Sequence, residues 1–302
     1  MERLLAAINE EFRGEIRRDE LMLSHTSWRI GGPAQLFLIP EDSKDLQTLL
    51  QVLKRFQTPW MVVGNGTNLL VKDGGIPGAV ISLERFDDFE VKILGSVHVG
   101  AGVSLPKLVQ NAVSKGLQGL ESFTGIPGSI GGALMMNAGT DEMEIGSLVE
   151  SLTLVTTEGE KILTRENVDF KYRNSGLADQ GIVISATLRL KKADAEELQE
   201  VCREKLQRRR EVQNVGGAHA GSVFKNPEGK KAWKLIDEAG LCGERIGDAE
   251  ISEVHCNHIV NLGHATASDV LTLIETAKQK VLEKSGVELE LEVCVVGQEA
   301  VL

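Results

Sequence analysis

The sequence predicts a mixed α+β protein built from two or three small domains. Helix-like and strand-like stretches alternate without a long regular βαβ series, which excludes a simple doubly wound sheet. The 302 residues are enough to bury more than one core. Glycine, at 32 residues, exceeds the usual share of about 7% and concentrates in two segments.

The elements follow in chain order. Residues 1–20 read as an amphipathic helix, with Leu4, Leu5, Ile8 and Phe12 at helical spacing. A clearer helix covers residues 43–56. Ser43 is placed to cap it, and Leu46, Leu49, Leu50, Leu53 and Phe56 form one stripe. Trp60–Val63 is a short apolar strand broken by Gly64-Asn65-Gly66, and Ala79–Leu83 is a second strand. Val91–Leu94 and Val97–Val99 read as short strands around Gly95-Ser96. Ser104 caps the next helix, which buries Leu108, Val109, Ala112 and Val113. Leu152–Thr156 and Lys161–Thr164 flank the turn pair Glu158-Gly159, a hairpin signal. Ile182–Leu190 alternates like a strand.

Ala193–Val212 is a highly charged helix and marks a domain boundary. A short helix, Ala232–Ala239, is closed by Gly240. A longer one runs from Ser268 to Gly286, with Val270, Leu271, Ile274, Ala277, Val281 and Leu282 facing the core. The last strand is expected at Glu288–Val296. The expected division is 1–85, 86–192 and 193–302.

Composition removes several function classes. Hydrophobic residues at 42% and charged residues at 25% exclude a mainly disordered chain. A formal charge of −11 repels phosphate backbones, so nucleic acid is not an expected partner. Eight Phe, three Trp and one Tyr are too few for a single-strand stacking platform. Cys202, Cys242, Cys256 and Cys294 form no C-x-x-C pair, so neither a zinc ribbon nor a disulfide framework is indicated. His255-x-x-His258 beside Cys256 reads as structural or surface, and no metal is expected. The acid-interrupted start does not read as a signal peptide, and no run of about 18 apolar residues occurs. The expectation is a soluble cytoplasmic protein without membrane insertion.

The two glycine-rich segments are Val63–Leu70 and Gly125–Ala133, the latter running on to Asn137-Ala138-Gly139. Glycine lets backbone amides converge on a phosphate. Neither segment fits the Rossmann fingerprint, since Leu69 stands where the third glycine belongs. The Walker pattern fails too, because Phe224 precedes Gly229-Lys230 where glycine is required. Two such turns rich in Asn, Ser and Thr point to a large anionic ligand, such as a dinucleotide held without a Rossmann unit.

Six segments, in order over residues of about 20 to 298, resemble the UDP-N-acetylenolpyruvoylglucosamine reductase family. They are His25–Gly32, Val63–Asn68, Gly125–Gly132, Tyr172-Arg173-Asn174-Ser175, Ala220–Pro227 and Glu290-Leu291-Glu292-Val293. The resemblance implies an N-terminal FAD-binding fold of the vanillyl-alcohol-oxidase (PCMH) type in two subdomains, and a C-terminal α+β substrate domain. It implies non-covalent FAD, NADPH as hydride donor and a UDP-sugar enolpyruvate as substrate. The product would be UDP-N-acetylmuramate for cell-wall synthesis. One family branch closes a tyrosine-bearing loop over its substrate. Tyr172 is the single tyrosine here and is already part of a motif, so the chain resembles the shorter, type II branch.

By the same resemblance, FAD contacts are expected from Gly64, Asn65, Gly66, Thr67, Asn68, Gly125, Pro127, Ser129, Ile130, Gly132, Ala138 and Gly139. Reduction of an enol ether conjugated to a carboxylate needs a cation for the carboxylate, a proton donor and a nearby flavin. Arg173 fits the cation, since a guanidinium grips a carboxylate with two parallel hydrogen bonds. Ser222 falls on the family's proton donor, with Lys225 near in sequence. Glu292 falls on the position of a second charged group near the developing enolate, and a perturbed protonation state is expected there. Tyr172, Arg210, Lys225 and Asn226 fall on substrate-binding positions. Two rival readings are a different oxidase on the same flavin fold and a catalytically silent nucleotide-sugar binder.

Overall fold

The computed structural model describes residues 1–92 and 95–300. Ile93 and Leu94, the end of one expected strand, lie outside the described residues. The chain divides into two compact units. The first comprises Met1–Arg17, Leu36–Asn65 and Gly78–Arg208; the second comprises Arg18–Gln35, Gly66–Pro77 and Arg209–Leu302.

The first unit centres on a five-stranded antiparallel sheet. Its order is Gly159–Thr164, Val149–Thr156, Ile182–Arg189, Ser96–Gly100 and Phe89–Val91. The hairpin expected around Glu158-Gly159 is present, with Gly159 opposite Thr156. Helices Leu105–Ser114 and Ile130–Met135 contribute Leu105, Leu108, Ala112, Ile130 and Leu134 to one core with Leu152, Leu154 and Leu188. Each leucine or isoleucine among them contributes about 1.5–3 kcal/mol when fully buried. Ser104 caps the first of these helices, accepting from the Lys107 amide.

A four-stranded sheet has the order Glu15–Leu21, Pro33–Ile39, Ile76–Ser82, Trp60–Val63, the last two running parallel. The helix Ser43–Arg55 buries Leu46, Leu49, Leu50 and Leu53 as its spacing predicts. Its cap is Asp42 rather than Ser43, because the Asp42 carboxylate is placed to accept the Asp45 amide. Phe56 lies just past the helix and stays largely outside the core. The first helix is shorter than expected. It covers Glu2–Glu11, and Glu15–Leu21 is a strand, since the apolar spacing of Leu4, Ile8 and Phe12 ends there.

The second unit packs Trp28 with the inner faces of helices Ala232–Glu238 and Ala267–Ser285. A three-stranded antiparallel sheet runs in the order Arg245–Ile246, Ala249–Ile251, Ile259–Asn261. The long helix has a capping box, Thr266 with Asp269, and ends at Gly286 in the left-handed region. Val270, Ile274, Ala277 and Val281 are buried as expected; Leu273 joins them, Leu271 is half-buried and Leu282 is half exposed.

The last strand is also shorter than expected. Only Cys294–Val296 forms a ladder, parallel to Leu69–Val71. Residues 288–293 keep the expected alternation, with Leu289 and Val293 buried and Glu288 and Glu290 exposed. Cys242 and Cys256 form a disulfide with a Cα–Cα distance of 5.3 Å. This corrects the expectation that the cysteine spacing indicates no disulfide. The partners are 14 residues apart in sequence. Backbone bonds between Gly243 and Ile251 and between Ile251 and Glu244 bring their flanks together.

Candidate active site

In the first unit Gly64, near the start of one glycine-rich segment, approaches Ser129 of the other. A Cβ on Gly64 would come within 2.1 Å of Ser129 Oγ, so a larger residue there would push the Ser129 side chain aside. Ser129 caps the short helix Ile130–Met135 and accepts from the Gly132 amide. Gly64, Asn65, Gly125, Pro127 and Gly132 are all exposed, which leaves an open backbone edge. Gly125 has φ +79 and Gly128 φ +124, conformations that turn successive amides away from regular structure. The amides of Ile130 and Gly131 are already spent on the carbonyls of Val103 and Ala101. Of the cofactor candidates here, Ser129 and Ile130 are therefore buried supports of the cradle.

A further observation favours a ligand. The Thr124 hydroxyl, directly before Gly125, is buried without a hydrogen-bond partner among the described residues. A buried polar oxygen left unpaired is costly, and a bound polar group would satisfy it. Thr124 was not singled out from the sequence, although its place beside Gly125 was a usable signal. The open edge, the close backbone approach and the orphaned hydroxyl fit an elongated phosphate-bearing cofactor.

Arg173 sits at the tip of a tight turn. Lys171 and Asn174 exchange backbone hydrogen bonds of 2.8 and 3.0 Å, leaving Tyr172 and Arg173 between them. Arg173 has φ 54, a conformation uncommon for a residue with a Cβ. Its guanidinium donates to the Gly139 carbonyl at 3.3 Å and lies 4.8 Å from the centre of the Tyr172 ring. The turn hangs on Asn137, which is fully buried. Its amide nitrogen donates to the Lys171 carbonyl and to Glu144, while its oxygen accepts from the Gly146 amide.

Ser222 and Glu292 belong to the second unit, on adjacent backbone segments. The Glu292 amide donates to the Val223 carbonyl at 2.8 Å, and the Lys225 amide to the Glu290 carbonyl at 2.8 Å. Asn68 joins the same stack: its side chain donates to the Glu292 carbonyl at 2.9 Å, and its carbonyl accepts from the Cys294 amide. Glu292 is half-buried, unlike Glu288 and Glu290. Lys225 pairs with Glu290 at 3.2 Å. The Asn226 carbonyl oxygen accepts from the Ala232 amide, so this side chain starts the following helix.

The segment His25–Gly32 is tied to these elements. The Ser27 amide donates to the Gly66 carbonyl, and the Trp28 indole donates to the Ile259 carbonyl at 2.7 Å. The Ser27 hydroxyl is the other buried oxygen without a partner among the described residues.

Within the basic run, Arg210 is exposed and Arg209 is turned inward, where burial lowers its pKa. Arg209 adjoins His258, which packs against His255 and His219 at ring-centre distances of 4.5 and 5.1 Å. Burial first, then the neighbouring histidines, lowers the His258 pKa to about 3, so the ring is neutral near pH 7. Asp237, Cys242 and Cys256 are the described residues whose donor atoms cluster closely enough to suggest a metal, and the two sulfurs are bonded to each other.

Comparison with known proteins gives first the class and then the family. Residues 34–164 match the FAD binding domain model, which makes this an FAD-binding α+β protein of the vanillyl-alcohol-oxidase type. Residues 213–296 match the C-terminal domain model of UDP-N-acetylenolpyruvoylglucosamine reductase. The protein of that name from Geotalea uraniireducens is 48% identical, covering 98% of this chain and 97% of its own. That from Pelobacter propionicus is 47% identical, covering 95% and 97%. The crystal structure of the Thermus caldophilus enzyme superposes with a TM-score of 0.80 at 40% identity, covering 94% of this chain and 98% of its own. The chain belongs to the UDP-N-acetylenolpyruvoylglucosamine reductase family of FAD-containing oxidoreductases.

Proposed function

We propose that this chain reduces the enolpyruvyl ether of a UDP-N-acetylglucosamine derivative, using NADPH, to give UDP-N-acetylmuramate for peptidoglycan synthesis. The observation that carries the reading is the hydrogen-bonded stack of Asn68, Glu292 and the Ser222 loop, in a chain of this family. The residues proposed to hold FAD are those around Gly64–Asn68, Gly125–Gly132 and Ala138-Gly139, with Thr124 added. Bound there, FAD supplies the hydride equivalent that NADPH delivers and the substrate methylene carbon accepts.

Arg173 holds the substrate carboxylate and stabilises the enolate charge that develops on it. Ser222 gives its hydroxyl proton to the carbon beside that carboxylate and is reprotonated from solvent. Glu292 is the second charged group near the enolate. Tyr172, Arg210, Lys225 and Asn226 are proposed to contact the nucleotide sugar, and Arg209 is the better placed of the arginine pair for a buried contact. We further propose the three-part division 1–85, 86–192 and 193–302, and non-covalent FAD.

No helix of the described residues is long and apolar enough to cross a membrane. We place the enzyme in the cytoplasm, where NADPH and nucleotide sugars are made. The test is product analysis with NADPH carrying deuterium at its transferable position. One deuterium in the product methyl group, from protein that purifies with FAD, is the expected result. Protein that takes up no FAD, or that leaves the enolpyruvyl substrate unchanged, would favour a silent binder.

A further inference from the structure

We propose that Asn257 is the positioning residue that aims Ser222 at its substrate. The inference rests on the reduction proposed above and adds a residue to it. Asn257 is buried and makes a three-point clamp on the residues that follow Ser222. Its backbone carbonyl accepts from the Val223 amide at 2.8 Å. Its side-chain oxygen accepts from the Phe224 amide at 2.9 Å, and its side-chain nitrogen donates to the Phe224 carbonyl at 2.8 Å.

The other side of Ser222 is held more lightly. Gly221 has φ +75, a Cβ there would meet nothing within 4 Å, and its amide donates to His219 Nδ1 at 3.0 Å. The aim of the serine hydroxyl is therefore set from Val223 onward, where Val223 and Phe224 are buried. The Val223 carbonyl points the other way and accepts from Glu292. Asn257 and the Glu292 segment thus hold the same two residues from opposite sides.

The clamp itself is rigid. Asn257 lies in a loop closed by the Ser252 amide on the His258 carbonyl and the His258 amide on the His255 carbonyl. The Ser252 hydroxyl accepts from the amides of Val254 and His255. The neighbouring Cys256 is tied to Cys242. A reacting group held on such a base keeps the near-contact geometry that proton transfer requires, and a displacement near 1 Å costs up to about 100-fold.

Asn257→Ala and Asn257→Asp, as FAD-loaded enzymes, test this in two half-reactions followed anaerobically. Asparagine to aspartate keeps the oxygen that accepts from Phe224 and removes the nitrogen that donates to it. In the alanine variant, reoxidation of reduced flavin by the enolpyruvyl substrate should slow about tenfold or more. Reduction by NADPH should stay within about twofold, and the aspartate variant should fall between.

Amide hydrogen exchange of the peptide containing Val223 and Phe224 should speed up in both variants, while exchange at residues 171–175 should not change. Equal slowing of both half-reactions, loss of FAD, or unchanged exchange at Val223 and Phe224 would overturn the proposal. If the wild-type flavin, reduced by NADPH, is not reoxidised by the substrate, the reduction reading itself fails and this inference falls with it.

Discussion

The turn bearing Arg173 and the loop bearing Ser222, to which the proposed reaction assigns its cation and its proton donor, are held in two different ways. Each hangs on a buried asparagine that donates to one carbonyl and accepts from one amide. The Arg173 turn is a tight two-residue tip with strained backbone, and its guanidinium donates to the Gly139 carbonyl. The Ser222 loop is gripped by Asn257 and by the Glu292 segment through Val223 and Phe224. A guanidinium can reach its target along a long side chain, so its base needs only to be fixed at a distance. A serine hydroxyl is one bond from Cβ, so its own backbone must be aimed.

That contrast can be broken by experiment. The largest effect is expected for Arg173→Lys, which keeps the charge and removes the planar fork. Reoxidation by substrate should fall by about 10²-fold or more, with normal FAD content. A rate within a few-fold of wild type would remove Arg173 from the chemistry.

Next comes Asn137→Ala, which leaves the Gly146 amide without its partner and the Lys171 carbonyl with only its bond from the Asn174 amide. It should destabilise the protein by about 1–3 kcal/mol, read from denaturant unfolding, and raise the substrate KM. Unchanged stability would mean that the turn supports itself.

Acid sharpens the comparison, since the resolved downward histidine shifts, at His219, His255 and His258, all fall in the second unit. His258 titrates near 6.5 when unfolded and near 3 when folded, so the unfolded chain binds its proton first. Its stabilisation is therefore complete above pH 6.5 and is lost as pH falls toward 3. The slope is about 1.4 kcal/mol per pH unit. His258→Phe should flatten that slope in unfolding titrations, and an unchanged slope would place the acid sensitivity elsewhere.

Much of this was legible in the sequence, and the failures share a cause. Helices were readable where a stripe of leucines repeats, as at Leu46, Leu49, Leu50 and Leu53. Gly64 stood out because glycine marks backbone contact before any fold is known. Residues 12–20 were misread, because a helical stripe gives no signal of where it stops. Asn137 and Asn257 were invisible as anchors, since a buried asparagine looks in sequence like any loop polar residue. The Cys242–Cys256 pair was missed because it is made by neighbouring turns in space.

The central claim is that Ser222 acts only when the substrate is reduced. Stopped-flow absorbance of FAD-loaded Ser222→Ala, with flavin reduction and reoxidation followed separately, tests it most directly. NADPH should reduce the flavin at near the wild-type rate, while reoxidation by substrate should slow about 10²–10⁴-fold. Equal slowing of both steps, or no slowing of the second, would contradict it.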